Sequence, residues 1–167
     1  LEDAYGADEI RQLADRDGVT AVYTQGTAPG YGAGLVDLRA YLSARIAWDP
    51  KRDIGREIHE FCAGYYGPGG PFIEQYVREY SDRVTRRRRC GGISWGNAEG
   101  WRDWVDAETI SWAEALFQQA LAATRDQPEY HRRVRAASLE VLWARVMLSA
   151  APKPELRAEE YVLLPGS

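Results

Sequence analysis

The stretch that decides the fold is Leu35 to Gly67, LVDLRAYLSARIAWDPKRDIGREIHEFCAGYYG. It predicts two amphipathic helices, because apolar residues recur in it at helical spacing. Pro50 must end the first helix, since proline lacks the amide hydrogen that a helix interior needs and pushes Asp49 toward extended backbone. Asp53 can cap the start of the second helix, and Gly67 can supply the left-handed backbone that ends it. The apolar residues are Leu35, Leu38, Leu42 and Ile46, then Ile54, Ile58, Phe61, Cys62 and Tyr65.

The residues before this hairpin have a different pattern. Glu9 to Asp15 can form a short helix ended by Gly18, and the apolar and β-branched run from Thr20 to Thr24 is typical of a buried strand. Gly26 to Gly34 is too rich in glycine for regular structure and is predicted to be a loop. Helix, strand, loop and helix in this order indicate the end of a β/α unit. A single strand cannot form a sheet, so this unit needs strands that the chain barely offers.

The residues after the hairpin predict more helices, separated by an irregular segment from about Arg86 to Val105. The predicted fold is therefore mainly α, a bundle of about five helices after a short N-terminal helix-strand unit. Pro152 and Pro154 break the last helix, and Tyr161 to Leu164 form an extended tail. The last helix carries further apolar residues beside its stripe, which predicts that it is buried on more than one side. The three stripes are Ile73, Tyr76, Val77, Tyr80 and Val84; Ile110, Ala113, Phe117, Ala120 and Thr124; and Tyr130, Val134, Ala137, Val141 and Leu148, widened by Leu139, Leu142, Trp143 and Val146.

The order of LRAYLxARIAWDP, a spacer, EFxxGYYG and a proline resembles the C-terminal part of a bacterial glycoside-hydrolase-like family known as domain of unknown function 4838. The resemblance continues through Ala113 to Trp143. That family is similar to the β-hexosaminidase and α-glucuronidase type barrels. The resemblance implies that residues 1–34 are the terminal β/α unit of a truncated barrel and that residues 35–167 are a C-terminal α-helical domain. It also implies a secreted or periplasmic protein.

The bulk composition narrows the class of protein. With 167 residues, of which 45% are hydrophobic and 28% charged, the chain is predicted to be globular and ordered. A net charge of -4 gives no reason to expect a nucleic-acid or membrane partner, and no apolar run approaches 18 residues. Because the chain begins at Leu1 without an initiator methionine, we expect an excised domain or a processed fragment.

The cysteines, histidines and arginines each suggest a functional site, but each group also has a simpler structural interpretation. Four potential zinc ligands exist, but they include no Cys-x-x-Cys pair and sit in unrelated segments, so neither a metal nor a cofactor is predicted. A disulfide between Cys62 and Cys90 stays an alternative to free thiols, and Cys90 could have a lowered thiol pKa. The arginines at 86 to 89 are interpreted as a solvated helix end, with anion or nucleic-acid contact as the alternative. The four potential ligands are His59, Cys62, Cys90 and His131.

Aromatic residues suggest sugar stacking, although most of them lie on or beside the apolar stripes and are interpreted as packing. This packing group is Tyr41, Trp48, Tyr65, Tyr66, Tyr76, Tyr80 and Trp143. In a barrel of the family's type, the site forms where strands end, which here is the segment leading into Tyr31. The candidate sugar-binding residues are Gln25, Thr27, Tyr31, Trp95 and Trp101.

No catalytic residue is predicted in this chain. A glycosidase needs two carboxyl groups about 5 to 10 Å apart. Asp37, Glu99 and Asp103 are no different from ordinary surface acids. The catalytic pair is therefore expected upstream of Leu1. The first hypothesis is a C-terminal, non-catalytic helical portion of a carbohydrate-active glycoside hydrolase, whose partners are the upstream barrel and its carbohydrate substrate. The second is a self-contained helical interaction or carbohydrate-binding module.

Overall fold

The computed structural model describes residues 7–16, 18–21, 35–86 and 106–149. These ranges are mainly helical, and a short N-terminal helix is followed by five longer ones, which confirms the predicted fold class. A short 3₁₀ turn, Gly67–Gly69, joins the third helix to the fourth. The helices are α1 Ala7–Arg16, α2 Val36–Trp48, α3 Ile54–Tyr66, α4 Gly70–Arg86, α5 Ala107–Ala123 and α6 Pro128–Ser149.

The joint between α2 and α3 forms as the sequence predicts. Asp49 has extended backbone, with φ -142° and ψ 94°, since Pro50 prevents the helix from continuing. Asp53 caps α3, because its side chain accepts a hydrogen bond from the amide of Arg56 at 2.9 Å. Asp106 caps α5 in the same way, through the amide of Thr109 at 2.7 Å. The cap at Asp53 confirms the predicted start of α3.

The joint between α3 and α4 depends on glycine for two different reasons. Gly67 has a φ of +54°, a conformation that L side chains rarely adopt, and a Cβ there would lie 2.8 Å from the ring of Tyr130. Gly70 has ordinary helical backbone, but a Cβ would overlap the carbonyl oxygen of Cys62. The corner is therefore packed too closely for side chains, with α6 against one of its faces.

The five longer helices share one core. In it, α3 packs on α2, α4 and α6, and α5 packs on α4 and α6. Each predicted apolar stripe contributes buried side chains, as expected for amphipathic helices. The buried apolar residues are Leu38, Leu42, Ile46, Ile54, Ile58, Cys62, Tyr66, Ile73, Tyr76, Val77, Ile110, Ala113, Leu116, Phe117, Ala120, Val134, Ala137 and Val141.

The second apolar face of α6 is exposed, so the prediction that this helix is buried on more than one side is wrong. Its inner stripe packs against α3, α5 and the 3₁₀ turn. The exposed side chains are Leu139, Leu142, Trp143 and Val146, with exposed fractions between 44% and 63%.

The predicted strand is tested over only two of its residues. Thr20 and Ala21 have no regular secondary structure, and the residues from Val22 to Thr24 lie outside the described ranges. The predicted loop from Gly26 to Gly34, the segment 87–105 and the tail after residue 149 also lie outside them. None of the helices in the described ranges has both the length and the apolar character needed to cross a membrane.

Candidate functional site

The predicted sugar-binding residues cannot be placed on this structure. Gln25, Thr27, Tyr31, Trp95 and Trp101 all lie outside the described residues. The same holds for Cys90, Glu99 and Asp103, and for the arginines 87–89. Their roles stay predictions.

The most organised polar surface runs along the line where α2 and α3 meet, and we call it the hairpin seam. Its residues are spaced four apart on each helix, so they lie on one face of that helix. Because the two helices run antiparallel, each step of one turn along α2 meets the next seam residue back along α3. The outer end is a hydrogen bond of 2.9 Å from the Tyr65 hydroxyl to Asp37. The other end is an ion pair of 2.9 Å between Arg45 and Glu57. The seam consists of Asp37, Tyr41 and Arg45 on α2, and Glu57, Phe61 and Tyr65 on α3.

Glu57 is the centre of the seam's electrostatics. It is 3% exposed. It accepts hydrogen bonds from Arg45 at 2.9 Å, Arg52 at 2.5 Å and the Tyr41 hydroxyl at 2.7 Å. The hydrogen bond from Arg45, helped by those from Tyr41 and Arg52, outweighs burial and lowers the pKa of Glu57 to about 2. A general acid needs a carboxyl that stays protonated near neutral pH, so Glu57 is unsuited to that role.

The opposite end of the seam connects the hairpin to α6. The ring of Tyr65 stacks on Phe61 with 4.8 Å between centroids. Arg133 of α6 lies 4.4 Å from the Tyr65 ring centroid and donates a hydrogen bond of 3.0 Å to its carbonyl oxygen. The seam therefore holds α2, α3 and α6 together.

A second carboxyl group lies partly buried between the helices. Glu140 of α6 is hydrogen-bonded to Tyr76 of α4, and Arg39 of α2 is the cation that acts on it. Burial raises the pKa of Glu140, opposed by the Tyr76 hydrogen bond and by Arg39. Tyr76 belongs to the core and packs against Trp112 and Phe117. Sequence reasoning missed this group, although an acid between the apolar Leu139 and Val141 was a signal for it.

The three described potential metal ligands, His59, Cys62 and His131, do not form a cluster. His59 is an exposed residue that hydrogen-bonds Glu74 at 2.8 Å, whereas Cys62, one turn away, is fully buried. His131 lies instead beside Thr124, at 3.3 Å. Among the described residues, no three His, Cys, Asp or Glu side chains group closely enough to hold a metal ion.

Cys62 is a free and unreactive thiol. It forms no disulfide with any described residue; Cys90, its alternative partner, lies outside the described residues, so that pairing stays untested. Burial raises the pKa of the Cys62 thiol to about 12. Because the thiolate is the reactive form, this cysteine acts as a small apolar core residue.

Trp48 is the described residue whose environment differs most from the sequence-based interpretation. It was grouped with the packing aromatics, but 88% of its surface is exposed. The signal that could have shown this is its position: Trp48 lies two residues after Ile46, about 200° around the helix from the buried stripe. The other aromatics of that group on α2, α3 and α4 are buried or half-buried, which confirms packing for them. Trp143 is half-exposed and departs from it too.

The comparisons with known proteins concern this same hairpin. Residues 7–78 match the model of a family described as Domain of unknown function (DUF4838). The match confirms the resemblance seen in the hairpin, and it extends from α1 through α3 into α4. It covers less than half of the chain, so the further resemblance at Ala113 to Trp143 stays a prediction. No curated protein and no solved structure matches the chain significantly.

Proposed function

We propose that this chain is the C-terminal, non-catalytic helical portion of a carbohydrate-active glycoside hydrolase, and that it packs on a catalytic β/α barrel. In this proposal residues 1–34 complete the barrel and contribute Gln25, Thr27 and Tyr31 to the rim of the sugar pocket. Residues 35–167 form the helical domain behind it. The family match supports treating the two parts as neighbours, because it runs across the proposed boundary from residue 7 to residue 78.

The observation that carries the proposal is the apolar surface at the end of the hairpin where α1 is attached. Trp48 at the end of α2 is 88% exposed, and Leu13 and Val19, in and just after α1, are 39% and 37% exposed. Large apolar side chains in such positions are typical of surfaces that another protein surface covers. The carboxylates of the hairpin seam support a non-catalytic role, since they are committed to Arg45, Arg52 and Tyr65.

The test uses the self-association of the chain. If this end normally packs on a barrel, the isolated chain should associate as its concentration rises, measured by size-exclusion chromatography with light scattering. Trp48→Gln should weaken that association, whereas Leu139→Gln, a matched loss of exposed apolar surface on α6, should not. A monodisperse monomer at all concentrations, or equal effects of the two variants, would contradict the proposal.

Activity provides a separate test. The isolated chain should not hydrolyse chromogenic aryl glycosides, whereas a longer protein that includes the upstream barrel should. Hydrolysis by the isolated chain that is lost in Asp37→Asn or Glu57→Gln would place the catalytic pair in the helical domain and refute the proposal.

The second candidate is a self-contained helical interaction or carbohydrate-binding module. The completeness of the core favours it, because α2 to α6 bury a continuous set of side chains without any barrel strand among the described residues. A monodisperse chain that is retarded by a soluble polysaccharide in affinity electrophoresis would support this candidate over the first.

A further inference from the structure

We propose that Arg11 is a positioning residue, a latch that holds α1 on the α2–α3 joint and thereby sets where the segment after α1 begins. Its guanidinium donates two hydrogen bonds to backbone carbonyls of the joint, from Nε to Pro50 at 2.7 Å and from Nη2 to Arg52 at 3.0 Å. A planar guanidinium can bridge two acceptors in this way, whereas a lysine ammonium is a single point charge. One side chain thus connects two elements about 40 residues apart in sequence.

The two carbonyls are suitable acceptors because neither lies in a helix. Pro50 and Arg52 lie in the connection between α2 and α3, outside both helices, so their carbonyls lack the partners of a helix interior. A charged donor gives stronger hydrogen bonds than a neutral one. The latch therefore satisfies backbone groups that would otherwise depend on water.

The α2–α3 joint that accepts these hydrogen bonds is itself held in place. The guanidinium of Arg52 donates to Glu57 at 2.5 Å, and the side chain of Asp49 accepts from the amide of Lys51 at 3.2 Å. These contacts link the joint to the hairpin seam. Arg11 consequently attaches α1 to a fixed part of the structure.

Among the described elements, α1 packs mainly on α2. It has ten residues, and an isolated helix of that length is marginal in water. Ile10 packs at the edge of the core, whereas Leu13 is 39% exposed. Loss of the latch should thus release α1 without unfolding the core of α2 to α6.

The chain reverses directly after α1, so the position of α1 affects the path of the next segment. Gly18 has a φ of +62°, and the amide of Val19 donates back to the carbonyl of Leu13 at 3.3 Å. The segment 22–34 begins three residues later and ends at the start of α2. If that segment is the proposed pocket rim, Arg11 positions one of its ends; this last step depends on the proposed function, whereas the latch does not.

The experiment measures the distance from α1 to α2 by double electron–electron resonance in the full chain. Nitroxide labels are placed at Asp15→Cys and Ser43→Cys, two exposed sites, in a Cys90→Ser background; the buried Cys62 is left in place. We expect a narrow distribution that Arg11→Ala broadens, with the detached population rising roughly 10- to 100-fold for the loss of two charge-assisted hydrogen bonds. The unfolding temperature of the core, which a purely structural role would lower, should change little.

Two further variants keep the test decisive. Arg11→Lys should give an intermediate distribution, and Arg16→Ala, which removes an exposed arginine of the same helix, should leave it narrow. A distribution unchanged by Arg11→Ala, or one broadened equally by Arg16→Ala, would overturn the latch. Since no sugar or barrel is needed, these outcomes are independent of whether the proposed function is right.

Discussion

Replacement of Glu57 by glutamine should destabilise the protein in a way that depends on pH. A shift of the carboxyl pKa from 4.5 to about 2 corresponds to at most about 3 kcal/mol of folding free energy. The side chains of Arg45 and Arg52 are 38% and 30% exposed, so water screens their attraction. We therefore expect Glu57→Gln to cost about 1 to 2 kcal/mol at neutral pH, a fall of roughly 2 to 8 °C in the unfolding temperature.

The lowered pKa of Glu57 determines how the loss of stability in Glu57→Gln should depend on pH. Because the folded pKa lies below the unfolded one, the stabilisation from Glu57 is fully present above pH 4.5 and is lost as the pH falls from 4.5 toward 2. Urea unfolding followed by circular dichroism at a series of pH values should show a large difference between the two proteins at pH 7. The difference should shrink steadily below pH 4.5.

A control variant distinguishes Glu57, the centre of the seam, from an ordinary surface carboxylate. Glu60→Gln removes an acid one turn away that pairs with the exposed Arg56, and a pair so open to solvent contributes little to stability. The reasoning would be refuted if Glu57→Gln and Glu60→Gln had equal effects, or if the loss from Glu57→Gln were the same at pH 3 as at pH 7.

Four other predictions each concern a single side chain or its absence. Glu140→Gln should stabilise the protein above pH 4.5, because the raised pKa of Glu140 means that the ionised carboxyl opposes folding there. In urea titrations this gain in stability should vanish below pH 4.5. A loss of stability at pH 7 would contradict the prediction. Gly70→Ala should cost at least about 2 kcal/mol in the same titrations, since its Cβ would overlap the Cys62 carbonyl, and a neutral effect would show that the corner can relax. In a Cys90→Ser background, Cys62 should react with a thiol reagent such as Ellman's only after denaturation, and fast reaction in native buffer would disprove its burial. Trp48→Ala should change the unfolding free energy of a monomeric sample by less than about 0.5 kcal/mol, a value that calorimetry can check.

Helix positions and inward faces were predictable because their causes are local. The stripe Leu38, Leu42 and Ile46 is buried because a 3.6-residue period places it on one side of α2, and Asp53 and Asp106 cap the helices that they precede. The same local rule failed for the outer side of α6, because apolar character does not tell whether another helix is present to cover it. The candidate sugar-binding residues lie outside the described ranges, so for them the sequence-based prediction stands untested.

By itself, the sequence determined the helices, the caps at Asp53 and Asp106, the two glycine- and proline-dependent joints and the inward-facing stripes, all of which result from periodicity and backbone chemistry within a few residues. Only the tertiary structure decided which polar groups meet. Glu57 has its low pKa because Arg45 of α2 and Arg52 of the joint reach it. Arg133 contacts Tyr65, 68 residues away in sequence, and Arg11 contacts Pro50 of the joint, 39 residues away. A side chain's partners depend on how the helices are arranged in space, and that arrangement is set by the packing of all of them at once. The hairpin that decides the fold is therefore predictable from its sequence, whereas the seam, the latch and the exposed Trp48 are properties of the packed bundle.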